Sequence, residues 1–431
     1  YIFVVFYNAA IIEKARKICY INYVASSFVA FFCIKNFDGF NKRYLVLVDV
    51  FCFFGEIKMI FLPTQQLSPG MVLAKDLCLW SGANNSSLVL LKAQQPLTLA
   101  FIERLEYYNI LGAYVEFENT DDIVVENTIN ESVKNQVLRD IKSVIDSFSE
   151  QQNTFDTLRL DQLRKIIDKL LGELTKFEAF FVNILELQSY DDYTYIHSLN
   201  VTIYSIAIAL SLGFNDSQIT ELAISALLHD IGKTLIPKEI INKPDKLTEA
   251  EYEIVKRHSM DAAKILAKKR ASYTICDAVL SHHEKYDGTG YPYGLMGNKI
   301  PINGRIIAVA DVYDALTSNR TYRKPYYTNE AIEYLIGSSG SHFDPAIVKA
   351  FLTKVTPYPV GMCVTLSDGR SCVVVKTNKN FPLRPTVKIL DEYGAILDLA
   401  NDIRLMNVVI TSIGYNDKAA GYNDNFYKTR I

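Results

Sequence analysis

Apolar positions along this chain change their spacing several times, and each change marks a different kind of element. Between Gln65 and Phe117, short apolar alternations are broken by Pro and Gly, as in LSPGMVLAKDL (Leu67–Leu77). One helix-like stretch, Leu99–Asn109, lies here, and AYVEF follows as a short strand, so a small α/β module is expected over 63–118. Asn119–Glu131 is polar and acidic and reads as a linker. From Ser132 to about Gln188 the spacing becomes helical, with apolar residues at Val133, Val137, Ile141, Val144 and Ile145. The run Leu158–Leu187 continues that theme, so 119–190 is expected to be a linker followed by helix.

Residues 191–355 read as a helical domain with long loops. HSLNVTIYSIAIALSLGF is a largely apolar helix that Gly213 can end. ELAISALLHDIGK is a second buried helix. It brings His229-Asp230 to its C-terminal end and places Lys233 four residues after His229, on the same helical face. KLTEAEYEIVKRHSMDAAKILAK opens with Thr248 and Glu251 in capping-box spacing and carries His258 late in its helix. Phe343-Asp344-Pro345 is a helix start with the aspartate capping. After Pro357 the alternation returns, with hairpin turns at Asp368-Gly369 and Tyr393-Gly394. A β-rich appendage is therefore expected over 356–413, followed by a frayed tail at 414–431.

Residues 1–62 are rich in aromatic and aliphatic side chains and show little period. The uncharged run Ile18–Ile34 lies between Arg16-Lys17 and Lys35, at the lower edge of bilayer-spanning length. No small-residue cleavage pattern follows it, so a secretory signal fits poorly. A buried or poorly ordered segment, or sequence outside the natively translated chain, is favoured over membrane attachment through residues 18–34.

Composition narrows the class. Lys and Arg number 45 against 48 Asp and Glu, a balance that argues against a protein that coats polymeric nucleic acid while leaving room for a local basic pocket. Seven scattered cysteines form no CxxC pair and their number is odd, which indicates neither a disulfide framework nor a zinc ribbon and fits a reducing cytoplasm.

The histidines carry the chemical signal. All six lie between residues 197 and 342, and five have chemically apt neighbours. His229 precedes Asp230, His282-His283-Glu284 opens HHEKYDGTGYP, and Asp311 and Asp314 lie in RIIAVADVYDAL. Imidazoles with a few carboxylates suit iron, manganese or zinc. A carboxylate beside a histidine can bridge two such ions, the arrangement that stabilises both oxygens of a phosphoryl transfer. Taken singly, His197 or His258 reads as a core histidine, His-Asp as a chance dipeptide, and His282-His283 as a solvated loop. Their conjunction in one segment favours a metal site. Glu284 suits a supporting role better than ligation. His342 reads as structural, Asp314 as support for the fold or for a ligand, and Tyr195 and Tyr204 as packing residues.

HDIGK, the histidine of KRHSMDAAKIL, HHEKYDGTGYP and RIIAVADVYDALTSNRTYRKPY together resemble the HD-GYP domain, a subgroup of the HD phosphohydrolase superfamily. The resemblance spans roughly Tyr193 to Leu352. It implies a mainly α fold: an HD-type helical bundle with a small α/β module before it and a small β-rich appendage after it. It further implies hydrolysis of cyclic di-GMP to the linear dinucleotide pGpG, a reaction that family members often carry on to GMP. By the same resemblance, His197, His229, Asp230, His258, His282, His283 and Asp311 match metal ligands, with Asp230 as the bridge, and the metals are commonly iron or manganese. Lys233 matches a phosphate-contacting lysine, and Gly290, Tyr291 and Pro292 match the signature tripeptide at the nucleotide pocket. Arg320 and Arg323 match basic positions for phosphate or guanine, both of which suit the guanidinium fork. Tyr193 stands where members with a third metal place a glutamate, with Asp191 and Asp192 just upstream, which favours two divalent ions. Two alternatives stay open: a hydrolase of another cyclic dinucleotide, and a non-catalytic signalling module that binds a diguanylate cyclase through its GYP surface. A homodimer is compatible with each.

Overall fold

A computed structural model describes residues 29–34, 44–49 and 58–415, except 82–84, 121–122, 124, 126–128, 150–156, 176–192, 242, 244 and 319–324. The chain divides into two units, Tyr1–Glu56 and Ile57–Ile431. In the first, β1 (Val29–Ile34) and β2 (Tyr44–Asp49) pair as an antiparallel hairpin, so the last six residues of the uncharged run are a strand. Residues 18–28 lie outside the described residues.

The second unit is mainly helical, with a small α/β region before the helices and a β-sheet after them. In the α/β region β3 (Met59–Pro63) pairs antiparallel with β6 (Gly112–Glu116), and β4 (Leu77–Ser81) with β5 (Ser86–Leu91). The expected helix there is Leu99–Tyr107, capped by Thr98, whose hydroxyl accepts from the Phe101 amide. Near the C-terminus β7 (Cys363–Leu366), β8 (Ser371–Lys376), β9 (Thr386–Ile389), β10 (Ile396–Asp398) and β11 (Ile410–Ile413) form one sheet in the order β10-β9-β8-β7-β11. Its two expected hairpin turns are present, with Gly369 at φ 89° and Gly394 at φ 58°, the left-handed region that glycine tolerates. The two β regions share one hydrophobic core, in which Phe61 and Leu62 meet Met362, Val364 and Val373. The Phe61 amide donates to the Gly361 carbonyl at 2.7 Å, and Gln66 makes two bonds with the Tyr415 backbone. The cysteines among the described side chains, Cys78, Cys276, Cys363 and Cys372, are free.

Between these regions lies the bundle. Helices Glu131–Ser149 and Thr157–Leu174 bury Val137, Leu138, Ile141, Leu163, Ile167 and Leu170 against the central helix Tyr193–Leu212 and its neighbour Asp216–Leu228. The central helix is apolar on nearly every face because it is surrounded on nearly every face. Thr194–Leu212 is long and apolar enough to cross a membrane, yet most of it is buried inside the bundle. Gly213 ends it at φ 74°, and the Phe214 amide bonds back to the Ala209 carbonyl.

Two local expectations need correction. His258 begins the helix His258–Lys268 instead of lying late in one, because the preceding helix Glu249–Lys256 closes at Arg257. Lys233 is not on a continued α-helix, because helix Asp216–Leu228 ends at His229 and the chain tightens into a 3₁₀ turn over Ile231–Leu235. In that tighter turn residues three apart lie over one another, which sets Lys233 above Asp230.

Candidate metal centre

Seven side chains reach one place from five helices. His197 comes from the central helix, His229 caps Asp216–Leu228 and Asp230 follows it, and His258 opens His258–Lys268. His282 caps Tyr273–Ser281 with His283 next, and Asp311 projects from Ile302–Thr317. Two glycines permit the approach. A Cβ on Gly232 would lie 2.0 Å from the His258 carbonyl oxygen, and one on Gly304 would lie 2.3 Å from Ser281 Oγ. Any larger residue at Gly232 would push apart the backbones that carry Asp230 and His258, and one at Gly304 would displace the Ser281 hydroxyl beside His282. Neither glycine was singled out from the sequence, although Gly232 stands inside HDIGK.

The histidine tautomers follow from their outer partners. Nδ1 of His229, His258 and His282 lies 2.7, 2.7 and 2.6 Å from the carbonyl oxygen three residues back, on Ala226, Val255 and Val279. A carbonyl only accepts, so each Nδ1 carries the proton and each Nε2 turns a lone pair inward. His197 Nδ1 donates in the same way to Asp314 Oδ2 at 2.7 Å, and Asn200 Nδ2 donates to the other oxygen of Asp314 at 2.7 Å. Asp314 thus supports a ring, as the sequence indicated. Asn200, one turn beyond His197, carried no sequence signal except that spacing.

The inward lone pairs face one another. Nε2 of His197 and of His229 are 3.3 Å apart, His258 and His282 are 3.3 Å apart, and His258 and His283 are 3.1 Å apart. Burial holds His258 and His282 below the ordinary imidazole range and pushes His283 down to about 3, so protons do not relieve this crowding. Asp230 stands between the groups. Its Oδ2 lies 3.6 Å from His197 Nε2 and 3.4 Å from His229 Nε2, and its Oδ1 lies 3.5 Å from His258 Nε2. Asp311 Oδ1 is 3.3 Å from His197 Nε2. Three donor triads have their ligand atoms within 4.8 Å of one another: His197, His229 and Asp311; His258, His282 and His283; and His229, Asp230 and His282. Asp230 Oδ1 is buried and accepts no hydrogen bond. A buried carboxylate oxygen without a partner is costly, and facing imidazole lone pairs repel, so this donor set fits cations. Burial opposes the charge of Asp230, but the adjacent Lys233 ammonium helps hold its carboxyl well below the usual range. Lys233 Nζ lies 2.5 Å from Asp230 Oδ2.

The HHEKYDGTGYP loop forms one wall. Tyr291 stacks on His283, with ring centroids 4.8 Å apart and planes inclined by 30°. Burial raises its hydroxyl pKa, which keeps the phenol protonated as a donor. Glu284 does not join the donor set. It is buried, and its carboxylate accepts from the amides of Tyr293 at 2.7 Å and Leu295 at 3.0 Å, clamping the loop just past Pro292. Gly290 is needed because a Cβ there would lie 2.2 Å from the Lys285 nitrogen. The carbonyls of Ser341 and His342 accept from Asp287 and Tyr286 and brace the loop from the other side. The His342 ring stacks on Phe343 and is in none of the donor triads. Asp344 caps the next helix through the Ala346 amide at 2.8 Å. Tyr195 bonds to Asp146, and Tyr204 packs edge-on against Tyr313. Arg320, Arg323, Asp191 and Asp192 lie outside the described residues, as does the Tyr193 side chain.

Comparison with known proteins agrees with this geometry. Residues 182–347 match the family described as HD domain, and residues 363–410 the family described as KOW domain associated with HD domain. The chain is 40% identical over 258 residues to a cyclic di-GMP phosphodiesterase of Pseudomonas aeruginosa, covering 60% of this chain and 61% of the relative. It is 39% identical over 195 residues to a cyclic di-GMP phosphodiesterase of Thermotoga maritima, covering 43% and 53%. To the 3'3'-cGAMP-specific phosphodiesterase 2 of Vibrio cholerae it is 37% identical over 198 residues, covering 45% and 37%. The chain thus spans about three fifths, or less, of the length of the curated relatives it matches.

Proposed function

With residues 182–347 matching the HD domain family, we propose that this chain is a metal-dependent phosphodiesterase that hydrolyses cyclic di-GMP to linear pGpG. The observation that carries this reading is the placement of Asp230. Its two oxygens face different histidine groups, and one of them accepts no hydrogen bond. In the proposed assignment His197, His229 and Asp311 would hold one divalent ion and His258, His282 and His283 a second, with Asp230 the carboxylate that would serve both. Imidazole and carboxylate donors suit iron, manganese or zinc, and the HD-GYP resemblance favours iron or manganese. Such a pair, when bound, acidifies water and offsets charge on the phosphodiester.

The protein's own groups do the positioning. Lys233, already beside Asp230, offers an ammonium to a phosphate oxygen at the centre. Asp314, Ala226, Val255 and Val279 fix the tautomers of His197, His229, His258 and His282, so these four rings need neither lose a proton nor rotate when substrate arrives. Gly290, Tyr291 and Pro292 line the nucleotide pocket, with the Tyr291 phenol as a donor. Arg320 and Arg323 are assigned to phosphate or guanine. Relatives named as cyclic di-GMP phosphodiesterases, among them those of Pseudomonas aeruginosa and Thermotoga maritima, support the substrate. The cGAMP-specific relative gives a second reading, hydrolysis of 3'3'-cGAMP. Placement in the cytoplasm is proposed from the free cysteines. A homodimer and a diguanylate cyclase partner are compatible with this reading.

Manganese-loaded and iron-loaded protein assayed against cyclic di-GMP, 3'3'-cGAMP and cyclic di-AMP, with products separated by chromatography, tests the proposal. The expected result is fastest turnover of cyclic di-GMP. Turnover of none of the three by fully metal-loaded protein would overturn it.

A further inference from the structure

Beyond the metal centre, the wall formed by Tyr291 continues into a cluster on the helix Glu249–Lys256. Lys256 Nζ lies 5.9 Å from the centroid of the Tyr291 ring and 5.3 Å from that of Tyr252. Tyr252 and Tyr291 thus share the Lys256 ammonium. The ring of Tyr291 therefore connects His283, in the donor set, with a cation and a second, half-exposed aromatic ring.

Resting on the phosphodiesterase reading, we propose that Lys256 and Tyr252 form a second anchoring point for the cyclic dinucleotide. The Lys256 ammonium takes the phosphate that is not being cleaved, and the exposed face of Tyr252 receives a base. A cyclic dinucleotide carries two phosphates and two purines, so holding one phosphate at the metal centre leaves a second charge and two flat rings to be recognised. Lys233 cannot serve the distant phosphate, because it is tied to Asp230 at the centre. Lys256 is placed for it. Its side chain is 26% exposed, its ammonium lies over the Tyr252 ring, and its only ion-pair partner among the described residues is Glu253. The Glu253 side chain is 58% exposed, and a pair with so solvated a carboxylate contributes little and yields to a better-placed anion. The bland reading makes Lys256 a surface lysine that steadies its helix through Glu253. It predicts that removing Glu253 matters as much as removing Lys256.

The test uses the full manganese-loaded chain and two substrates, cyclic di-GMP and bis(p-nitrophenyl) phosphate, which has one phosphate and no purine. For Lys256→Ala, the ratio of kcat/KM for cyclic di-GMP to that for the small diester should fall at least tenfold, mainly through a higher KM. Lys256→Arg should restore most of the ratio, Glu253→Gln should leave it at the wild-type value, and Tyr252→Ala should lower it. Manganese content reads out the fold. An unchanged ratio in Lys256→Ala overturns this inference alone. So does an equal loss on both substrates accompanied by lost manganese, which would make the lysine structural. A wild-type chain that hydrolyses the small diester but no cyclic dinucleotide overturns the parent reading and this one together.

Discussion

Replacing Gly232 by alanine tests the link between packing and chemistry. The new methyl would sit 2.0 Å from the His258 carbonyl oxygen and 2.8 Å from the Ala262 nitrogen, both backbone atoms that no rotamer change can move. Restoring ordinary contact requires the 231–235 turn to withdraw from helix His258–Lys268 by about 1 Å, given normal nonbonded separations of roughly 3 Å or more. Overpacking of this kind costs about 1–3 kcal/mol. At about 2–4 °C per kcal/mol for a domain of this size, the Tm should fall by about 2–12 °C. The displacement acts directly on Asp230 and His258, whose facing atoms are 3.5 Å apart. A misplacement of about 1 Å can cost about 100-fold in rate. The assay is a thermal melt with and without manganese, metal content, and kcat/KM on bis(p-nitrophenyl) phosphate. Gly172→Ala is the control, because a Cβ at that helical glycine meets nothing within 4 Å. It should be neutral or stabilising by about 0.4–1 kcal/mol. Wild-type metal content and turnover in Gly232→Ala would refute the reasoning.

Two further outcomes follow from the imidazoles. Asp314→Asn leaves His197 without its carboxylate acceptor and should lower metal affinity about 10–100-fold, measured by competition with a fluorescent chelator; unchanged affinity would contradict the tautomer argument. His258, His282 and His283 have pKa values depressed by burial, so below about pH 6.5 the unfolded chain takes up protons that the folded chain refuses. Their contribution to stability is therefore complete above about pH 6.5 and is lost as pH falls toward 3, the value for His283. Melts of metal-free protein should show Tm declining from pH 7 to pH 5, and a flat profile would contradict the depressed values.

Much of the site was legible because its chemistry is written in short motifs. Seven side chains spread from His197 to Asp311 meet at one place, and the capping box at Thr248 and the aspartate cap at Asp344 form as their local spacing implies. What stayed hidden depends on contacts between distant segments. The shared core of the two β regions joins Phe61 to Gly361 and Met362, some three hundred residues away, and no local periodicity encodes that pairing. Trp80 lies on β4 yet is buried in the helical cluster, which amphipathicity cannot reveal. The turn at Lys233 and the break at Arg257 were missed for another reason. Both 3₁₀ and α geometry suit the same residues, and the choice between them is made by the packing of Gly232 on His258.

The central claim, that Asp230 joins two cation sites, is tested most directly by counting ions. Protein purified without oxygen from cells supplied with iron and manganese, then analysed for elements against amino-acid concentration, should carry two divalent ions per chain. Asp230→Ala should lose most of both. Three tightly held ions would contradict the assignment and direct attention to Asp191 and Asp192. A single ion retained unchanged in Asp230→Ala would show that the carboxylate bridges nothing.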